Sequence, residues 1–372
     1  MLSQTPRLLE VNLSHNLIHT IEIPLDFPFT EWGLAKLKVC DLSSNQLTKF
    51  HNMHYYVPNL KHLNISSNNI TEFRGDIIAT GLTLETFDMS RNRLKSVDFD
   101  WLEDMKHLDL SHNGIDLEDC REYMDPKRLV WGCFSPLHRF SDLEVIILSH
   151  NQIAFIPMDF HYYLPKLRYV DLSHNKIKRL MHGDLLFTRI RDNMDLELFR
   201  TNYEEEYRHE YRFLDNVIRN GFPGSNNLTI DLRHNSISSL QLPDDKIEVV
   251  IPGCDIDSKF SRVKLLLGHN PFVCDCEVFK LLRYASKEIR PTSALERYNG
   301  HMLVVPAVID IQDLHCSEPD SMKGKAIADV ESWAYHWLPM IGMCLNHLEV
   351  QSKLGKTSEK PTKVESMDEP PT

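Results

Sequence analysis

The sequence predicts an α/β solenoid: a curved parallel sheet with one strand per repeat, closed at its C-terminal end by a cysteine-bonded cap. Three observations predict it. The pattern L-x-x-L-x-L-x-x-N-x-L/I returns nine times along the chain. Five of the eight steps between successive pattern Asn residues are 21 to 29 residues, the length of one strand-and-return unit. The last unit, Leu265 to Phe272, runs directly into Cys274-Asp275-Cys276.

The repeats follow in order. Leu8, Val11, Leu13, Asn16 and Ile18 make the first; Leu37, Cys40, Leu42, Asn45 and Leu47 the second; Leu60, Leu63, Ile65, Asn68 and Ile70 the third. Leu84, Phe87, Met89, Asn92 and Leu94 follow, then Met105, Leu108, Leu110, Asn113 and Ile115. Two more strong units carry Asn151 and Asn175, and two weaker ones Asn235 and Asn270. Alternation in x-L-x-L sends the apolar residues inward and their neighbours outward on a short strand. The turn Asn residues are expected to form a ladder that satisfies backbone groups between coils. Phe140 and Phe160 fall where the return segment packs an aromatic. This is the leucine-rich-repeat pattern.

Three steps are long, and solenoid insertions leave the stack as loops. The step from Asn113 to Asn151 holds Cys120 and Cys133, which could staple an insertion near 116–142. The step from Asn175 to Asn235 includes an insertion near 185–225. It either hides a degenerate repeat at Leu196, Leu198 and Thr201 or is loop throughout. Within it, Asn202 to Phe213 sets aromatics at helical spacing among charges, a surface helix or an acidic-aromatic docking patch. The step from Asn235 to Asn270 holds Cys254, for which no partner is evident.

The expected organisation is a solenoid over 1–269, a cap over 270–345 and a disordered tail over 346–372, rich in Lys, Glu, Ser, Thr and Pro. In the cap, Glu277 to Ala285 reads as an amphipathic helix and Leu303 to Leu314 as extended chain. Met1 to Pro6 has no charged start or apolar run, and no 18-residue apolar stretch occurs, so the chain reads as a fragment or a truncated gene product.

Net charge is −12, which disfavours a nucleic-acid partner. There is no H-E-x-x-H, G-x-S-x-G, phosphate loop or dinucleotide fingerprint, and His209-Glu210 lacks a second His, so no catalysis, cofactor or metal is expected. Eight cysteines without C-x-x-C pairs favour disulfides and an extracellular setting over an intracellular repeat scaffold with free thiols. Cys40 fills an inward position and reads as a small buried apolar group.

Glycan acceptor triplets begin at Asn12, Asn64, Asn69 and Asn227. Asn12 and Asn64 fall at outward strand positions, where a glycan would block the concave face locally. Asp41, Asp88, Asp109, Asp171 and Asp231 recur at that same place, a structural row or an acidic stripe facing a ligand. His15, His112, His150, His174, His234 and His269 each precede a turn Asn. They are either a favoured turn filler or a column whose protonation below about pH 6 would sense endosomal acid.

The repeats together with N-P-F-x-C-D-C at Asn270–Cys276 and L-x-C-x-x-P-x-x-x-x-G at Leu314–Gly324 resemble the ectodomain of Toll-type receptors, over roughly Leu8 to Cys344. The resemblance implies that the cap pairs Cys274 with Cys316 and Cys276 with Cys344. It implies recognition of a dimeric cystine-knot cytokine or a microbial ligand by surface complementarity, followed by receptor pairing at the cell surface, with membrane attachment only through a segment missing from this chain. The alternative is a secreted or adhesive leucine-rich-repeat scaffold, since the repeats by themselves are shared with such proteins.

Overall fold

In the computed structural model the described residues are 7–21, 34–50, 57–74, 84–98, 104–117, 137, 140, 142–157, 159–162, 164–190, 226–250, 259–275, 277–292 and 302–329. They lie in a unit spanning Met1–Ile327, save the last two, which begin a second unit, Ala328–Thr372. The first unit is organised by one ten-stranded parallel sheet. Its strands are β1 (Glu10–Asn12), β2 (Val39–Asp41), β3 (His62–Asn64), β5 (Thr86–Asp88), β7 (His107–Asp109), β8 (Val145–Ile147), β9 (Tyr169–Asp171), β12 (Thr229–Asp231), β15 (Lys264–Leu266) and β19 (Val308–Asp310). Each is three residues long, and each pairs with its neighbour without a slip, as in Cys40 with Leu63 and Leu63 with Phe87.

The sequence pattern explains the strands. The middle residue of each turns inward: Cys40, Leu63, Phe87, Leu108, Ile146, Val170, Ile230 and Leu265 are all buried. The pattern residues two places on, from Leu42 to Leu267, are buried as well, so alternation drives the core on one side of the ribbon. Phe140 and Phe160 close the core from the return side, the latter on a one-turn helix, α1 (Asp159–Tyr162). Beside Phe160, the buried His161 donates from Nδ1 to the Leu186 carbonyl at 2.8 Å.

The turn Asn residues carry the stacking. Asn175 donates from Nδ2 to the carbonyls of Leu172 and Ser173 in its own repeat and of Leu148 in the preceding one. Its Oδ1 accepts the Ile153 amide at 3.0 Å. Asn45, Asn68, Asn92, Asn113, Asn151, Asn235 and Asn270 repeat the arrangement, each accepting the amide that sits two residues past the previous turn Asn. Asn16 is exposed and bonds the Leu13 and Ser14 carbonyls of its own turn.

Three features depart from the sequence reading. First, β9 pairs directly with β12, and Asn235 reaches back to the Leu172 carbonyl at 2.9 Å. Among the described residues no strand lies between β9 and β12, and Leu196, Leu198 and Thr201, where a degenerate repeat was one reading, lie outside the described residues. Residues 191–225, including the expected helix at 202–213, lie outside the described residues. Secondly, the sheet continues past 269: β19, from the segment read as cap, is its tenth strand. Gly268 marks this junction, because a Cβ there would stand 2.8 Å from the Gln312 carbonyl oxygen. Thirdly, segments after the repeats return to earlier ones. β11 (Leu186–Ile190) pairs antiparallel with β18 (Met302–Pro306), and β14 (Ile247–Val249) with β17 (Ile289–Pro291). Between neighbouring repeats, β4 (Phe73–Arg74) pairs parallel with β6 (Val97–Asp98) and β10 (Arg179–Met181) with β13 (Ser239–Gln241).

The C-terminal end is covered by α2 (Val278–Ala285), which buries Val278, Leu281 and Tyr284 on one stripe. The Tyr284 hydroxyl donates to the Ala307 carbonyl at 2.5 Å. Cys274 and Cys316 form a disulfide beside the parallel pair β16 (Pro271–Val273) and β20 (His315–Glu318). Cys276 and Cys344 lie outside the described residues, as do Cys120, Cys133 and Cys254.

Asn175→Ala is expected to destabilise the protein by about 3 kcal/mol, because it strands several buried backbone groups. Asn16→Ala should cost under about 0.5 kcal/mol, since water reaches its partners. Urea midpoints of the two variants check this, and equal shifts would contradict it. Cys274→Ser with Cys316→Ser is expected to cost about 4 kcal/mol from the freed 42-residue separation, read from the same midpoints under non-reducing conditions.

Candidate functional site

The outward residues of the sheet form one continuous surface along the repeats. In each strand the first and third residues face away from the core. An open groove of about 500 Å³ runs along them from β2 to β8. Its lining includes His62, Thr86, His107, Asp109, Val145 and Ile147. The strand face is therefore concave.

Two rows line it. The third-position row holds Asn12, Asp41, Asn64, Asp88, Asp109, Ile147, Asp171, Asp231, Leu266 and Asp310. Its Asp residues have a local task. In each, Oδ1 accepts the amide two residues on: Ser43, Ser90, Ser111, Ser173, Arg233 and Gln312 are the donors, at 2.8 to 3.0 Å. These are Asx turns that end the strand. Asn12 and Asn64 do the same with Ser14 and Ser66, so they are stand-ins for Asp in the row. At Asp231 the other carboxylate oxygen is taken by Arg233 and at Asp310 by Lys264, so the row is structural throughout and adds acidic character to the groove at Asp41, Asp88 and Asp109. Burial raises the Asp109 carboxyl above its usual range, against the bonds from Ser111, and its neighbours Asp88 and Asp171 add to the rise.

The first-position row varies freely: Val39, His62, Thr86, His107, Val145, Tyr169, Thr229 and Lys264. His62 Nδ1 and the Thr86 hydroxyl lie 2.6 Å apart across β3 and β5. Burial pushes the Tyr169 hydroxyl up to about 12, with Asp171 and Asp231 adding to it. At β8 the two rows meet as Val145 and Ile147, an apolar spot between Asp109 and Asp171. Along the edge where the strands begin, Glu85 takes Lys61 at 2.5 Å and Lys106 at 2.9 Å. Hydrogen bonds from these two lysines hold the Glu85 carboxyl at about 2. Such a surface can bind by shape, by a small apolar contact and by acidic hydrogen-bond acceptors. No cluster of ligating side chains fit for a metal occurs among the described residues.

Of the remaining candidates only Cys40, the inward residue of β2, contributes to the groove lining. Cys40 is a buried free thiol under β2, pushed up to about 12 by burial and then by Asp41. Asn69 is half-buried beside its turn, and Asn227 is exposed ahead of β12. The histidines of the turns line the edge just past the third-position row. His112, His150, His174, His234 and His269 stack ring on ring, while His15 stands apart because Ser44, Ser67 and Arg91 fill the slots between. The first-position row was missed in reading the sequence. Its signal is only positional, one residue before each inward residue of x-L-x, and its residue types follow no period.

Comparison with known proteins agrees with this geometry. The Leucine rich repeat family matches residues 58–115 and 141–186. Protein toll of Drosophila melanogaster is 26% identical over 227 residues, covering 61% of this chain and 16% of that protein. Oligodendrocyte-myelin glycoprotein of Mus musculus is 28% identical over 137 residues, covering 34% of this chain and 30% of that protein. The chain thus spans under a third of the length of either relative. Among solved structures, the Toll–Spatzle complex of Drosophila superposes with a TM-score of 0.53 at 22% identity, covering 79% of this chain and 35% of that one. The chain is a leucine-rich-repeat solenoid related to Toll and other receptors, and it resembles the ectodomain of Toll-type receptors.

Proposed function

We propose that this chain is a non-catalytic, extracellular protein-recognition module of a Toll-type receptor, and that its concave face takes a dimeric cystine-knot cytokine. The observation that carries the proposal is the concave face itself. Ten strands hold its outward residues rigid, and their inward neighbours leave nothing but surface to vary. The solved Toll neighbour is a complex with Spatzle, which supports a protein ligand. The Cys274–Cys316 disulfide supports an oxidising compartment, because such links persist outside the cytosol.

The binding surface is assigned to β5 through β9. Asn12 and Asn64 are proposed glycan acceptors on the face at β1 and β3, with Asn69 and Asn227 as acceptors off it. Sugars at Asn12 and Asn64 would cover the N-terminal strands of the groove. The apolar contact of Val145 and Ile147, ringed by Asp88, Asp109 and Asp171, is left for the ligand. A partner that fits it presents an apolar side chain among basic ones, because buried apolar anchors carry affinity and charges steer approach. Receptor pairing would follow binding. A second reading is an adhesive or secreted leucine-rich-repeat scaffold using the same face, since the repeats by themselves are not specific to receptors.

Surface plasmon resonance against Spatzle and a panel of dimeric cystine-knot cytokines checks this proposal. At least one is expected to bind, and Ile147→Lys together with Asp109→Lys is expected to weaken it tenfold or more. Binding unchanged by both substitutions would remove the concave assignment. Failure of the whole panel, with binding to a microbial product or to a cell-surface protein instead, would favour the other ligand class or the scaffold.

A further inference from the structure

The turn histidines share one backbone slot. In ten successive repeats the residue after the strand by three places has left-handed φ between 52° and 60°: His15, Ser44, Ser67, Arg91, His112, His150, His174, His234, His269 and Asp313. This backbone is costly for most side chains, and Asn, Asp and His are the residues other than Gly that take it most readily. Five consecutive slots hold His. Their ring centroids are 4.0, 4.1, 4.4 and 4.5 Å apart, with planes within 6° to 14° of parallel. The rings form one unbroken pile along the edge of the sheet.

Neutral imidazoles stack well at this distance, and imidazolium ions do not. Two like charges at this separation repel even in bulk water, and more beside protein. The groups facing the pile do not neutralise it. Arg91 caps the His112 end, and Arg233, engaged by Asp231, adjoins His234. Asp109, Asp171 and Asp231 favour protonation of nearby rings, but each already accepts amide hydrogen bonds. Asp313 fills the slot after His269. For His112, His150, His174 and His234 the balance depresses protonation, first through desolvation, with like charges adding to it.

The slot is also where repeats are tied. From His112 to His234 each slot amide donates to the carbonyl just before the next slot, at 2.9 Å for His112, 3.1 Å for His150 and His174, and 3.4 Å for His234, and the His269 amide donates to the Asp313 carbonyl at 2.9 Å. The stacked rings and these edge bonds of the sheet therefore span the same junctions between repeats.

We propose that this column is a pH-sensitive device on the edge of the concave sheet: neutral rings stack and hold the repeats from 112 to 269 at close spacing, and protonated rings push them apart. The direction follows from linkage. The unfolded chain takes up protons near the ordinary histidine value of about 6.5 and the folded column resists them. Stability is thus lost as pH falls below that value. His161 and His182 act with the same sign, burial lowering both, but they lie outside the column. The proposal rests on the same sheet as the recognition reading, but its test needs no ligand.

Thermal unfolding of the intact chain between pH 7.5 and 5.0 tests it, compared with the triple variant His150→Gln, His174→Gln, His234→Gln. The expected result is a loss of Tm on acidification at least about 3 °C smaller in the variant, with His161 and His182 cancelling between the two proteins. An equal loss would overturn the proposal. Titration of the wild-type histidines by carbon-13 NMR stands even if the variant fails to fold. Midpoints below 6.5 at His112, His150, His174 and His234, with broadened, coupled curves, are expected, and independent midpoints at or above 6.5 at these four would overturn it.

Discussion

The structure depends on satisfying the backbone groups that the repeats bury against one another. A solenoid turn leaves carbonyls and amides pointing along the stack, where water cannot follow. A single Asn side chain meets that need because it carries both a donor pair and an acceptor. Asn45 through Asn270 use both at once, donating to two repeats and accepting from one. This fixes the spacing between coils more firmly than apolar packing does, since apolar contact has no preferred register. Once the spacing is fixed, the strands fall into register and their outward residues form one surface.

Function is layered on that constraint. The inward residues and the turn Asn are not free to change, and the third strand residue is nearly as constrained, because its side chain ends the strand. What remains is the first-position row and the insertions. The apolar spot at Val145 and Ile147 is informative for this reason. Ile147 breaks the run of Asp and Asn at its place and makes no Asx turn, so its side chain is released from the structural task its neighbours perform. The histidines occupy the other permissive slot. The backbone there favours Asn, Asp or His, and His brings a ring that can change charge.

The repeats were legible because their signal is periodic and local. Leu63, Ile65 and Asn68 announce a unit without reference to any other part of the chain. The helix at 278–285 was legible for the same reason. The tenth strand was not, because Val308–Asp310 is followed by Leu314 where a ladder Asn would stand. The pairings of β11 with β18 and β14 with β17 join segments far apart in the chain, and no local pattern encodes a partner. At the concave face, positions could be read from the sequence but not their ranking. The histidine column was visible as a recurring triplet, and its stacking came only with the spacing that the Asn ladder sets.

The most direct measurement is amide hydrogen exchange at Ile18, Leu47, Ile70, Leu94, Ile115, Ile153, Ile177 and Ile237, the eight amides that donate to ladder Asn side chains. If the ladder holds the stack, they exchange among the slowest in the protein, at rates close to those of the strand amides beside them. Exchange at the rate of exposed loops, with the strands still protected, would contradict the account.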